Sequence, residues 1–398
     1  MLNSGWETIP PVPQADSSPL FIKSNGIHVL EGRSDFISSQ AGEFGIVLSD
    51  QRNDIARITQ LYAESVEDFA GTLVIFTQFP DAASFSSAYF LPIYNPTQGT
   101  GMPSYDRRET FGTRRIEGFV NMQRLKSHAP NVLSVLTHEI AHRHSAYLEA
   151  NVQSSTTPLS LLGREAAHWH AAFNSQGSFL EGYHWRETQP GRFVSIDKQS
   201  RLAPIDLYAL GLLDADELSE LFFIQEAKVA SGARLPAAAD LPVGTVVTGQ
   251  RVDIKGIDIV AALGPRPRQT TNEIRFLYIT RPGESPESDA VREDLTSLEN
   301  IRLELEQNWR EQTLGRGELI TQPVVVGSRD SSIETDAATP IVAPTEKSNC
   351  DCSVNGSRSH SARTSGLLPF LLLAFLLARR GTEKTRFLLL SRKLPLPR

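Results

Sequence analysis

The spacing of apolar positions changes several times along the chain, and each change predicts an element. Leu73-Val74-Ile75-Phe76 is an unbroken apolar run, the pattern of a strand covered on both faces. Phe44-Gly45-Ile46-Val47-Leu48 reads as a strand ahead of it. Between the two, Ile55, Ile58, Leu61, Tyr62, Val66 and Phe69 recur at helical spacing, with Asp50 offering an N-cap. Tyr89–Tyr94 and Ile116–Met122 predict two further strands. Val132, Leu133, Val135, Leu136, Ile140 and Ala141 then mark a helix from about Asn131 to Glu149, started by Pro130 and Asn131. Strand-like runs return at Phe222–Gln225, Val246–Ile254 and Ile274–Ile279, and a long helix is expected over about Asp294–Gln312. This order predicts an α+β domain over residues 41–320: a mixed sheet with an associated helix at 131–149, then a smaller α/β C-terminal part.

The flanks read differently. Residues 1–40 are rich in Pro, Ser and Gly and are expected to be irregular, holding at most a short strand near Ile27–Leu30. Residues 321–365 are Ser/Thr/Pro/Asp-rich and predict a disordered linker. Residues 366–398 open with Gly366–Ala378, a continuously apolar run that ends in Arg379-Arg380. It is shorter than the ~20 residues a helix needs to cross a bilayer. A polar linker before it and a basic stop after it set it apart from a core helix. It predicts a sorting or anchoring segment with transient or anchored membrane contact.

Charge sharpens this division. The net charge is −7, yet after Lys347 nine Lys/Arg face only Asp351 and Glu383, which leaves residues 1–347 at −14. So acidic a body argues against nucleic acid as a partner, because that binding needs clustered Lys/Arg against phosphate. Both cysteines, Cys350 and Cys352, lie in the tail, so the body holds neither a disulfide framework nor a cysteine metal cluster. The segment Met1–Trp6 lacks the charged start and apolar core of a signal peptide.

The chemistry concentrates in Leu136-Thr137-His138-Glu139-Ile140-Ala141-His142. A four-residue step on a helix is about one turn, so His138 and His142 share a face and can grip one ion. Glu139 leaves the helix beside them, placed to act as a base toward water activated by Zn²⁺.

His138-Glu139-Ile140-Ala141-His142 resembles the signature of zincin-type metallopeptidases. That likeness implies a zincin-like mixed sheet, Zn²⁺ held by His138 and His142, Glu139 as general base, and a protein or peptide substrate. Together with the His168-Trp169 segment and Pro204-Ile205-Asp206-Leu207-Tyr208, the region from about 44 to 315 is similar to secreted bacterial proteins of that type. Arg143 stands where the family prefers an uncharged residue. Ser145 and Leu148 occupy the positions at which the metzincin extension needs glycine and histidine, which excludes that subfamily. The C-terminus, from Cys350-Asp351-Cys352 to Arg379-Arg380, resembles the myxobacterial C-terminal sorting signal. It implies export to the cell surface or medium, with the apolar piece removed; residues 381–398 run past the arginines.

A catalytic zinc takes three protein ligands and keeps a fourth vertex for water. His168 is the choice for the third, with Trp169 packing the ring in place; Glu165, Asp206 and Glu181 are the alternatives. Tyr208, Tyr183 or His184 could steady an oxyanion. The function expected is zinc-dependent protein hydrolysis. A non-catalytic zinc-binding surface protein and a zinc amidase acting on a non-protein bond are the alternatives.

Overall fold

In a computed structural model of the chain, residues 21–24, 26–40, 43–47, 52–79, 88–152 and 157–322 are described. A seven-stranded mixed sheet forms the frame. It opens with the antiparallel hairpin of β1 (Phe21–Ser24) and β2 (Ile27–Leu30). Helix α1 (Asp54–Ser65) follows, then β3 (Thr72–Thr77), β4 (Tyr89–Pro92) and β5 (Gly118–Arg124). Helix α2 (Val132–Ala141) comes next. The chain then leaves the sheet to build a separate four-stranded antiparallel sheet from β6 (Tyr183–Gln189), β7 (Arg192–Lys198), β8 (Leu221–Val229) and β9 (Val246–Ile254), in the order β6-β7-β9-β8. The short helix α3 (Pro204–Ala209) interrupts this excursion, and α4 (Gly256–Leu263) ends it. The chain returns as β10 (Thr271–Ile279), α5 (Asp289–Gln312) and β11 (Glu318–Ile320).

The main sheet runs β1-β2-β10-β3-β5-β4, with β11 pairing the start of β10. Strands β2, β10, β3 and β5 are mutually parallel, and β4 lies antiparallel to β5 at the edge. All six residues of β3 are buried, as its apolar run requires. Alternation then divides the core. Leu73, Ile75, Leu277 and Ile279 pack with Ile55, Ile58, Leu61 and Tyr62 of α1 on one face. On the other face Val74, Phe76, Phe276 and Tyr278 join Leu136 and Ile140 of α2, Leu298 and Leu305 of α5, and the core of the antiparallel sheet. Helix α2 thus lies on the sheet beside β4 and β5, with its polar face turned to the loops of the excursion.

Several elements differ from the pattern-based expectation. The strand expected near Ile27–Leu30 is β2, and its pairing with β10 brings residues of the 1–40 segment into the sheet. The expected strand at Phe44 is the three-residue Glu43–Gly45, paired with Ser38–Gln40. Helix α1 is capped by Asn53, whose side chain accepts from the Ala56 N–H at 2.9 Å; Asp50 lies outside the described residues. Helix α2 stops at Ala141 rather than near Glu149. Beyond it Ala146, Leu148, Ala150 and Val152 are buried while the residues between them are not, a period of two that belongs to extended chain. The part after α2 is not a separate α/β unit: its sheet is antiparallel, and β10 goes back to the middle of the main sheet. No helix among the described residues is long and apolar enough to cross a membrane. Cys350, Cys352 and Gly366–Ala378 lie outside those residues.

Candidate metal centre

The last turn of α2 carries His138 and Glu139, and His142 closes the helix still in helical geometry, with φ −58° and ψ −13°. The one-turn step therefore survives at the point where the helix ends. The Nε2 atoms of His138 and His142 lie 3.1 Å apart. His168 arrives from the excursion, after the 3₁₀ turn Arg164–Ala166. Its ring stands 5.3 Å from that of His138 and 4.8 Å from that of His142, between centroids. One ligand atom from each of the three histidines falls within 4.8 Å of the others.

Backbone carbonyls set the tautomer of every ring. His138 Nδ1 is 2.8 Å from the Phe179 carbonyl, His142 Nδ1 is 3.3 Å from that of Ser145, and His168 Nδ1 is 3.1 Å from that of Arg164. A carbonyl only accepts, so each Nδ1 carries the hydrogen and each Nε2 keeps its lone pair. Burial holds all three imidazoles neutral: it lowers His138, drives His142 well below the usual range with help from the neighbouring rings, and brings His168 down to about 4. Three neutral imidazoles that each keep an Nε2 lone pair, clustered within 4.8 Å of one another, form a donor set suited to a divalent transition ion. Metal–nitrogen bonds near 2.0–2.1 Å in a tetrahedron separate the nitrogens by about 3.4 Å, close to the His138–His142 spacing. The site can hold a metal ion.

The supporting residues explain how a loop histidine meets a helix pair. Asp206, in the first turn of α3, is fully buried. It accepts from Trp169 Nε1 and Ser145 Oγ, both at 2.9 Å, and from the Ala203 N–H at 2.9 Å. One carboxylate therefore ties the residue after His168 to the residue whose carbonyl orients His142. Gly163 lets the His168 loop close: a Cβ there would stand 2.6 Å from the Trp169 carbonyl oxygen and 2.8 Å from that of Ala237.

Glu139 is buried between α2 and the edge strand. Burial raises its carboxyl to about 7, opposed by a hydrogen bond from the Phe90 N–H of β4. Compared with known family models, curated proteins and solved structures, the chain matches none.

Of the alternatives to His168, Glu165 is largely exposed and pairs with Arg164, Asp206 is the buried tie just described, and Glu181 also pairs with Arg164. Glu181 comes nearest the cluster, its Oε1 3.9 Å from His168 Nε2. Among the candidate oxyanion donors, the Tyr183 hydroxyl is taken up by the Ala239 carbonyl and the Leu241 N–H, each at 2.6 Å. Tyr208 has a buried hydroxyl with no partner among the described residues, and His184 is half-buried on β6. Arg143, the departure noted after the second histidine, is an ion-pair partner of Glu117. Two neighbours carry no sequence signal. The Phe90 N–H belongs to backbone, and Arg164 reaches His168 through a loop with positive φ at Glu165 and Ala166. Clefts of about 190 Å³ near Arg124 and Arg281, and of about 400 Å³ along α5 and β11, lie elsewhere and include no residue of the cluster.

Proposed function

We propose that the protein is a zinc-dependent endopeptidase with a zincin-like arrangement of sheet and active-site helix, acting outside the cell and sorted there through its C-terminal segment. The observation that carries this reading is Glu139. It is a buried acid on the same helix turn as His138, the residue directly after one of three clustered histidines. A site that merely stored metal would have no use for a base held in that position.

When bound at His138, His142 and His168, Zn²⁺ supplies an acidified water and polarises the scissile carbonyl. Glu139 takes a proton from the attacking water and passes it to the departing amine. The Phe90 N–H fixes the orientation of the Glu139 carboxylate.

Glu139→Gln separates chemistry from metal binding. The variant is expected to hold as much zinc as the wild type by elemental analysis, while casein cleavage falls at least about 100-fold. Equal cleavage by both proteins would overturn the reading. Release of cell-wall fragments by the wild type, with casein untouched, would replace it with an amidase.

A further inference from the structure

Arg164 stands at the metal centre with no part in the chemistry above. Its Nη2 lies 2.9 Å from His168 Nε2, the atom that must face the metal. The direction of this bond is fixed. His168 Nδ1 points at the Arg164 carbonyl and carries the ring hydrogen, and a guanidinium has donors and no acceptor. Arg164 therefore donates into the Nε2 lone pair. A ring nitrogen has one such lone pair, so guanidinium and metal ion exclude each other at His168.

The arm also has a second anchor. Its Nε and Nη2 meet Glu181 Oε1 at 2.7 and 2.6 Å, and its Nη1 meets Glu165 Oε2 at 3.1 Å. Glu181 Oε1 is 3.9 Å from His168 Nε2, so the guanidinium bridges the carboxylate and the imidazole. With its side chain 44% exposed, Arg164 has room to swing outward while keeping its carboxylates.

We propose that Arg164 caps His168 Nε2 in competition with a metal ion and must withdraw onto Glu181 and Glu165 for the metal to bind. This rests on the metal-centre reading above and adds a control on loading: affinity at the three histidines is set partly by how readily the arm leaves. Arg164 is thus a residue positioned against the metal, and His168 is held in place by Asp206, Trp169 and its own carbonyl bond.

The sign of one measurement decides it. A scaffolding role for Arg164 predicts weaker metal binding once the side chain is gone, whereas the cap predicts tighter binding. Full-length wild type, Arg164→Met, Arg164→Gln and Arg164→Lys are titrated with Zn²⁺ against a chromophoric chelator, with folding of the metal-free proteins checked by circular dichroism. The expected result is at least tenfold tighter zinc binding in Arg164→Met and Arg164→Gln, with Arg164→Lys in between. If Arg164→Met fails to fold, the other two variants carry the sign. Unchanged or weaker binding in the neutral variants, with wild-type binding intact, would overturn the cap alone. Equal zinc binding by wild type and a His138→Ala/His142→Ala protein would overturn the metal centre and the cap together.

Discussion

Asp206 shows how much of the histidine cluster depends on a residue outside it. It sits in the dark of the core and gathers hydrogen bonds from Trp169, Ser145 and the Ala203 backbone. Asp206→Ala leaves the buried Ser145 hydroxyl and Ala203 N–H without this acceptor, and Trp169 Nε1 with Ser178 Oγ alone, and is expected to lower unfolding stability by about 3 kcal/mol, measured by urea denaturation. Zinc affinity should fall with it, because the Ser145 carbonyl and the His168 loop both lose their tie. Intact stability in that variant would show the carboxylate to be dispensable. Residue by residue, the motif His138-Glu139-Ile140-Ala141-His142 was legible because ligand spacing is local. His168 was one candidate among four, since no pattern within its own segment says which loop folds back onto α2. Arg164 was invisible as a neighbour of His168: its position depends on left-handed backbone at Glu165 and Ala166, non-glycine residues that nothing in the sequence marks for it.

At the scale of elements, the two faces of the main sheet do different work. Helix α1 covers the face away from the histidines, while α2 lies on the other with α5 packed against it. Asn53→Ala removes the α1 cap and is expected to cost about 1 kcal/mol with no change in zinc affinity, as read by thermal melting and metal titration together. Leu136→Ala opens a void beneath α2, at a side chain with no exposed surface, and should cost about 3 kcal/mol. Here zinc affinity should weaken too, since the helix that presents both ligands loses its seat. The extent of α2 itself was misread from sequence. The apolar stripe of helical spacing ends at Ala141, as the helix does, whereas the expected helix runs on to about Glu149. The alternation from Ala146 to Val152 was there to be read, but four positions are a short run against a strong helical one. By contrast β9 falls on the run expected for it, Val246–Ile254, because a nine-residue strand bounded by turn residues is a strong local signal.

For the whole molecule, metal and fold are expected to be linked. The three ligands come from α2 and from a loop of the excursion, so a bound ion bridges segments 26 residues apart or more in the chain. A thousandfold excess of metal over its dissociation constant should add about 4 kcal/mol to stability. Stripping it with a chelator should lower the melting temperature, and readdition of zinc should restore it. A melting temperature indifferent to both would contradict a native metal site at the histidines. A chain ending at Val325 contains every residue of the site and is expected to bind zinc with the stoichiometry of the full chain, checked by elemental analysis. Sequence alone determined the α+β class, most strand and helix cores, and the helical histidine pair with its carboxylate, because each follows from periodicity and spacing within a dozen residues. Only the tertiary structure decided that His168 joins the pair, that Phe90 meets Glu139 and that Arg164 meets His168. Those contacts join segments far apart in the chain, and the packing that closes such loops is a property of the whole core that no local pattern encodes.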